Sequence, residues 1–259
     1  METLLVERDA GVVTVTMNRP ERKNAATATM LAELRACFEE VERRTDDRVL
    51  VLTGAGGSFC SGLDLGGRDA DAAAPDPPMV RMRRLARSAG ALHAMAKPTI
   101  AKVDGVAYGA GLGLALGCDL VVVSDRARLA TFFSRRGLSL DTGTSWLLPR
   151  LVGVARAKEL AMFSDVLDGS QAAEIGLVNR VVPAGELDEF VSEWARRLAD
   201  GPTLALSLSK AMIDGSGTAS FEQALETEAH CQAVSFASAD AAEASAAYMD
   251  RRDPHFAGR

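Results

Sequence analysis

Residues 3–8 and 12–17 are rich in strand-forming side chains and flank Gly11, a pattern that predicts a hairpin. Asn18, Arg19 and Pro20 end its second strand. A helix follows from about Thr27 to Arg44, with Met30, Leu31, Leu34, Phe38 and Val41 on one side. Val49 to Thr53 is a short, nearly continuous apolar run, as expected of a strand buried on both faces. Residues 54–67 form a glycine-rich connection, and 68–78 are the most loop-like stretch of the chain. A helix then runs to about Met95. Pro98 opens a second buried strand, Thr99–Val103, and residues 105–117 are glycine-rich but become helical. Leu120–Ser124 is a third strand, and Leu129–Phe133 a fourth short one. After Ser134 the pattern is mostly helical, with helix starts at Ser170, Pro202, Ser220 and Asp240. Ser220 with Gln223, and Asp240 with Glu243, have capping-box spacing. This alternation predicts an α/β fold with parallel crossovers. The helical tail can cover the sheet or reach a partner subunit.

Composition narrows the function classes. Of 259 residues, 47% are apolar and 25% charged, enough for a substantial core and too apolar for a disordered chain. A net charge of -6 with 5% aromatics gives no support to a nucleic-acid partner. Cys37, Cys60, Cys118 and Cys231 are widely spaced and the three histidines are scattered, so no metal framework or redox pair is indicated. No membrane-spanning stretch and no signal-like start are seen, and the expected location is cytoplasmic.

Candidate chemistry concentrates in two loops, 54–64 and 104–113, each following a predicted strand. Open α/β folds place ligands beyond the carboxyl ends of strands. Two main-chain N–H groups aimed at one carbonyl oxygen would form an oxyanion hole, while tight helix–strand packing explains the same glycines equally well. Gly109, Gly111 and Gly113 do not make a dinucleotide fingerprint, because position 114 is leucine. Asp141 lies between an apolar segment and a helix start, so it can be an N-cap or a buried base. Asp64 is expected to fix the Gly62 turn, and Asp119 and His93 to be structural. Ser61 and Ser145 have no evident histidine partner, which weakens a hydrolase triad.

Several ordered segments resemble the crotonase superfamily, the enoyl-CoA hydratase/isomerase family. Asn18-Arg19-Pro20-Glu21-Arg22-Lys23-Asn24 is similar to its N-terminal signature. Phe59-Cys60-Ser61-Gly62-Leu63-Asp64-Leu65 and Gly105-Val106-Ala107-Tyr108-Gly109-Ala110-Gly111 resemble its two oxyanion segments. Lys97-Pro98, Cys118-Asp119, Gln171-Ala172, Gly176-Leu177-Val178 and Arg252-Asp253-Pro254-His255-Phe256 also fit, so the likeness spans nearly the whole chain.

The resemblance implies a spiral of ββα units with a helical C-terminal region. Residues 1–200 would form the core with the acyl-CoA site, and 201–259 a trimerisation region. The thioester oxygen would sit between the N–H groups of Leu63 and Ala110. CoA would bend over the first loop, its adenine near Ser61 and Leu63 beside Asp64, and its phosphates near Arg22 and Lys23. Residues 68–82 would line the acyl pocket, with Phe133, Phe132 and Trp146 as apolar walls. The family assembles as homotrimers, often paired into hexamers. CoA arrives as part of the substrate; no separate cofactor or metal is implied.

The departures from the hydratase pattern carry the functional reading. Hydratases of this family use two glutamates to hold water, and the corresponding positions here are Gly113 and Phe133. Asp141 lies eight residues beyond Phe133, where isomerase branches place an acid–base aspartate and a dehalogenase branch a nucleophilic one. The dehalogenase branch has tryptophan at the Phe133 position. Residues 137–149 resemble the ring-epoxide isomerase branch most. The expected reaction is therefore a proton shift in an enoyl- or ring-type acyl-CoA, with Asp141 as acid–base group. The alternatives are hydration with water held another way, hydrolysis or dehalogenation through Asp141, and a silent acyl-CoA-binding paralogue.

Overall fold

A computed structural model describes residues 1–64 and 77–258. In chain order the elements are β1 (Leu4–Asp9), β2 (Val12–Met17), α1 (Ala28–Arg43), β3 (Val49–Gly54), α2 (Pro78–His93), β4 (Thr99–Val103), β5 (Val106–Tyr108), α3 (Ala110–Leu116), β6 (Leu120–Ser124), β7 (Arg128–Ala130), α4 (Thr144–Phe163), β8 (Leu167–Asp168), α5 (Gly169–Glu174), β9 (Arg180–Val182), α6 (Leu187–Ala199), α7 (Thr203–Ser216), α8 (Phe221–Phe236) and α9 (Ala239–Asp250).

One six-stranded sheet runs β1-β2-β3-β4-β6-β9, and a smaller one β5-β7-β8. The β1–β2 hairpin is antiparallel, with Leu4 opposite Met17. The β2–β3, β3–β4, β4–β6 and β6–β9 pairs are parallel. The central strands β3, β4 and β6 are buried on both faces, and their alternate residues feed different cores. Leu50, Leu52, Ala101, Val103, Val121 and Val123 pack with Met30, Leu34 and Phe38 of α1. Val49, Val51, Ile100 and Val122 pack with Leu187, Val191, Ala195 and Ala199 of α6. This two-sided burial is why β3 reads as an unbroken apolar run, and each large side chain so buried contributes about 1.5–3 kcal/mol. Thr27 starts α1 by accepting from Met30 N at 3.2 Å.

Several sequence expectations need correction. The strand predicted over 129–133 covers only Arg128–Ala130, because Phe132 turns to a φ of 60°, which no strand tolerates. Strands β5, β8 and β9 are two or three residues long, too short for period-two patterning to reveal. Asp168, not Ser170, caps α5, in a reciprocal capping box with Gln171. Ser238 starts α9, and the buried Asp240 instead accepts from Ala257 N and Gly258 N, fastening the tail. The Ser220–Gln223 capping box of α8 is present as expected. Residues 65–76, most of the stretch expected to line the acyl pocket, lie outside the described residues; residues 78–82 begin α2.

Candidate active site

Strands β3 and β4 release the two glycine-rich loops at their carboxyl ends, and hydrogen bonds lock one loop to the other. Phe59 N and Cys60 N donate to Val106 O at 3.1 and 3.0 Å, and Tyr108 N donates back to Cys60 O at 3.0 Å. Gly111 completes the contact: a Cβ there would lie 2.2 Å from the Cys60 carbonyl oxygen, so only glycine lets α3 approach this closely.

Side chains from the Asn18–Asn24 segment hold the first loop. Asn24 is fully buried; it accepts from Arg19 N at 2.8 Å and donates to Ala55 O and Ser58 O at 2.9 and 2.7 Å. The Arg19 guanidinium meets Asp64 at 3.1 Å through both terminal nitrogens. Asp64 is thus tied into the turn, as expected, although its partner was not foreseen. Ser61 donates its N–H to Lys23 O at 3.0 Å and its hydroxyl to Arg22 O at 3.3 Å. That hydroxyl has no histidine beside it among the cavity residues. Burial pushes the Cys60 thiol up to about 11, leaving it protonated and unreactive at neutral pH. The second loop starts at Asp104, held below the usual carboxylate range by its hydrogen bond with Arg126, with Ser124 assisting.

Between the loops opens a cavity of about 750 Å³. Leu63 and Ala110 both line it, and among the described residues neither main-chain N–H donates to another protein group. Two such donors on facing loops can hold an oxygen that gains negative charge. Arg22, Lys23, Ser61, Asp64, Phe133 and Asp141 line the same cavity, so most predicted positions converge. Phe132, expected as an apolar wall, lines it too, and so do Tyr108, Arg136 and Leu138, which sequence reasoning did not assign to the site. The Phe132 ring stacks on Tyr108 with centroids 5.0 Å apart and planes 20° from parallel. Trp146 is not among the lining residues. Its ring lies edge-on to His93 at 5.1 Å and beneath the Arg150 guanidinium at 3.7 Å.

Asp141 does not cap α4. The N-cap is Gly143, and Thr144 N and its hydroxyl donate to the Asp141 carbonyl at 3.0 and 2.7 Å instead. The carboxylate takes no part in the cap, and Asp141 lines the cavity. Burial raises its pKa above the usual aspartate range, and a 2.6 Å hydrogen bond donated by the Thr142 hydroxyl partly opposes the shift.

The enoyl-CoA hydratase/isomerase family model matches residues 7–259. This chain is a member of that family. It is 40% identical over 270 residues to 1,2-epoxyphenylacetyl-CoA isomerase of Escherichia coli (strain K12), covering all of both chains. It is 35% identical over 226 residues to 4-chlorobenzoyl coenzyme A dehalogenase-2 of Arthrobacter sp, covering 86% of this chain and 82% of that one. The solved enoyl-CoA hydratase of Bacillus anthracis superposes with a TM-score of 0.93 at 28% identity, covering 99% of this chain and all of that one. The molecule accordingly has the crotonase fold and is an acyl-CoA-processing enzyme of the hydratase/isomerase type. Among the described residues no helix is long and apolar enough to cross a membrane.

Phe133 and Gly113, where the resemblance would put the two hydratase glutamates, are taken up in other ways. Phe133 presents a ring to the cavity wall, and a Cβ on Gly113 would lie 2.6 Å from Thr142 Cβ. The space where a side chain at 113 would start is already taken by the residue next to Asp141.

Proposed function

We propose that this enzyme isomerises an unsaturated or ring-bearing acyl-CoA by a proton shift, with Asp141 as the shuttling acid–base group. The carrying observation is the Asp141 carboxyl itself. It lines the cavity with its proton affinity raised by burial, whereas Asp64, which lines the same cavity, is engaged by Arg19. Hydration needs a water held and activated between two acids; a proton shift needs one group that alternates between base and acid. Asp141 takes a proton from a carbon next to the acyl system. The electron pair moves onto the thioester oxygen, which receives hydrogen bonds from Leu63 N and Ala110 N. The enolate then collapses, and the Asp141 carboxylic acid returns the proton at a different carbon. Phe133 and Leu138 keep this step dry. Arg22 and Lys23, exposed at the mouth, meet the CoA phosphates. The likeness to an epoxyphenylacetyl-CoA isomerase supports the same reading.

A panel of enoyl-, dienoyl- and ring-type CoA esters, followed by mass spectrometry and NMR, tests it. The expected product has the substrate's mass and a moved double bond or opened ring. Added water would mean hydration, released CoA or halide would mean nucleophilic chemistry, and binding without turnover would mean a silent paralogue; each of these would overturn the proposal.

The acting unit in this reading is a homotrimer, alone or paired into a hexamer, in a reducing compartment such as the cytoplasm. Helix α8 has no buried residue within its own chain, yet carries Phe221, Leu225, Val234 and Phe236, with Phe221 and Phe236 each 74% exposed. Phe221, Leu225 and Phe236 fall on one side of the helix, and exposed apolar side chains so grouped mark a face that another surface covers. Sedimentation equilibrium is expected to give a multiple of three chains, and Phe221→Glu with Phe236→Glu to lower it. A monomer or dimer in the unsubstituted protein would refute the assembly.

A further inference from the structure

We infer that Thr142 is a positioning residue for the reaction, orienting the Asp141 carboxylate and clamping it to the helix that carries the Ala110 N–H. The inference rests on the proton-shift reading and adds to it a group that does not touch substrate.

Thr142 occupies a costly place. It is β-branched, buried to 5% exposure, and has a φ of 53°. A β-branched residue rarely enters the left-handed region, and such strain persists only where surrounding contacts hold it. Those contacts are visible on the far side of the residue. Thr142 Cβ and Cγ2 lie 2.6 and 2.9 Å from where a Cβ of Gly113 would be, so the threonine is seated directly on bare α3 backbone. Its hydroxyl donates to Asp141 Oδ1 at 2.6 Å. One residue therefore bridges α3, whose first residue is Ala110, and the carboxylate that faces the cavity. Base and oxyanion donor must keep one relative geometry through both proton transfers, and a rigid bridge between them supplies it.

The seat also accounts for Gly113. A glutamate there would displace Thr142 and with it the hydrogen bond that holds Asp141. In this chain the residue that steadies the aspartate excludes the first hydratase glutamate by volume.

Among the described residues, the charged groups sharing the cavity with Asp141 are Arg136 on its own side and Glu21, Arg22, Lys23 and Asp64 on the first-loop side; the α3 segment 110–116 contributes none. Burial and the Thr142 hydroxyl are the causes of its shifted proton affinity. The hydroxyl stabilises the charged form, so its loss moves the pKa further up.

Two substitutions separate shape from hydrogen bonding. Thr142→Val keeps the branched shape and removes the donor; Thr142→Ser keeps the donor and removes the methyl. With the substrate found by the CoA-ester panel, Thr142→Val is expected to lower kcat about tenfold or more, leave KM within about twofold, and move the acidic limb of the pH profile upward. Thr142→Ser is expected to keep the limb where it is and recover most of kcat. Should Thr142→Val not fold, Thr142→Ala, which removes donor and crowding together, takes its place. A limb that stays put in the donor-free variant, or moves equally in Thr142→Ser, overturns the inference. The Asp141→Asn variant, run in parallel, keeps the two readings apart. If that variant stays active, the proton-shift reading itself fails; if it is inactive while Thr142→Val behaves as wild type, only the positioning role fails.

Discussion

Asp141→Asn is expected to lower kcat by about 10²–10⁴-fold, the range that one positioned acid–base group supplies. Asparagine has nearly the same shape but cannot accept and return a proton at neutral pH, so binding and chemistry separate. The CoA ester should bind the variant with little change, as read by calorimetry, while turnover is lost in steady-state assays. The pH profile of the unsubstituted enzyme gives a second reading. As a base Asp141 works ionised, and burial raises its pKa. Activity should therefore fall on acidification through a limb lying above the ordinary aspartate value of about 3.9. Stability runs the other way. The folded state holds the proton more tightly than the unfolded chain, so stability is greater below the unfolded pKa and is lost as pH rises through the folded one. Asp141→Asn removes that loss and should melt no lower than wild type at neutral pH. Wild-type turnover in the asparagine variant would remove Asp141 from the mechanism.

Gly111→Ala should be as damaging to activity without touching any acid or base. The added methyl would lie 2.2 Å from Cys60 O and 2.8 Å from Cys60 Cβ, and the first of these is backbone that cannot turn aside. Cys60 O also accepts from Tyr108 N, so pushing it away loosens one of the three bonds that join the loops. The donors at Leu63 and Ala110 then no longer share one oxygen. Losing one oxyanion donor costs about 10²–10³-fold in kcat, and that is the expected deficit in variant protein that remains folded by circular dichroism. A variant with unchanged kcat would show that the two loops do not need this contact to act together.

How much of this was legible in the sequence depended on how local the cause was. The β1–β2 hairpin, α1 with its Thr27 cap, and the doubly buried β3 could be read because turn chemistry, capping and periodicity act over a few neighbouring residues. The short β5, β8 and β9 could not, since partners distant in sequence define them. Trp146, next to the site along the chain, was expected in the cavity wall; packing against His93 and Arg150 keeps it outside the lining. Asp141 was ambiguous between cap and base for the same reason. Its sequence context permits either, and the left-handed turn at Thr142 and Gly143 aims its carbonyl at α4 and leaves its carboxylate to the cavity.

By itself, the order of residues determined the motifs and the two glycine-rich loops, because each is a matter of residue type at a given spacing; that Gly113 and Phe133 stand where a hydratase has glutamates is what the family resemblance adds. Tertiary structure brings Leu63, Ala110 and Asp141 to the one cavity that the resemblance implied, and it alone decided that Arg19 holds Asp64 and that Thr142 fills the space above Gly113. Those facts join segments dozens of residues apart, and the joining is done by close packing, which leaves no periodic trace along the chain.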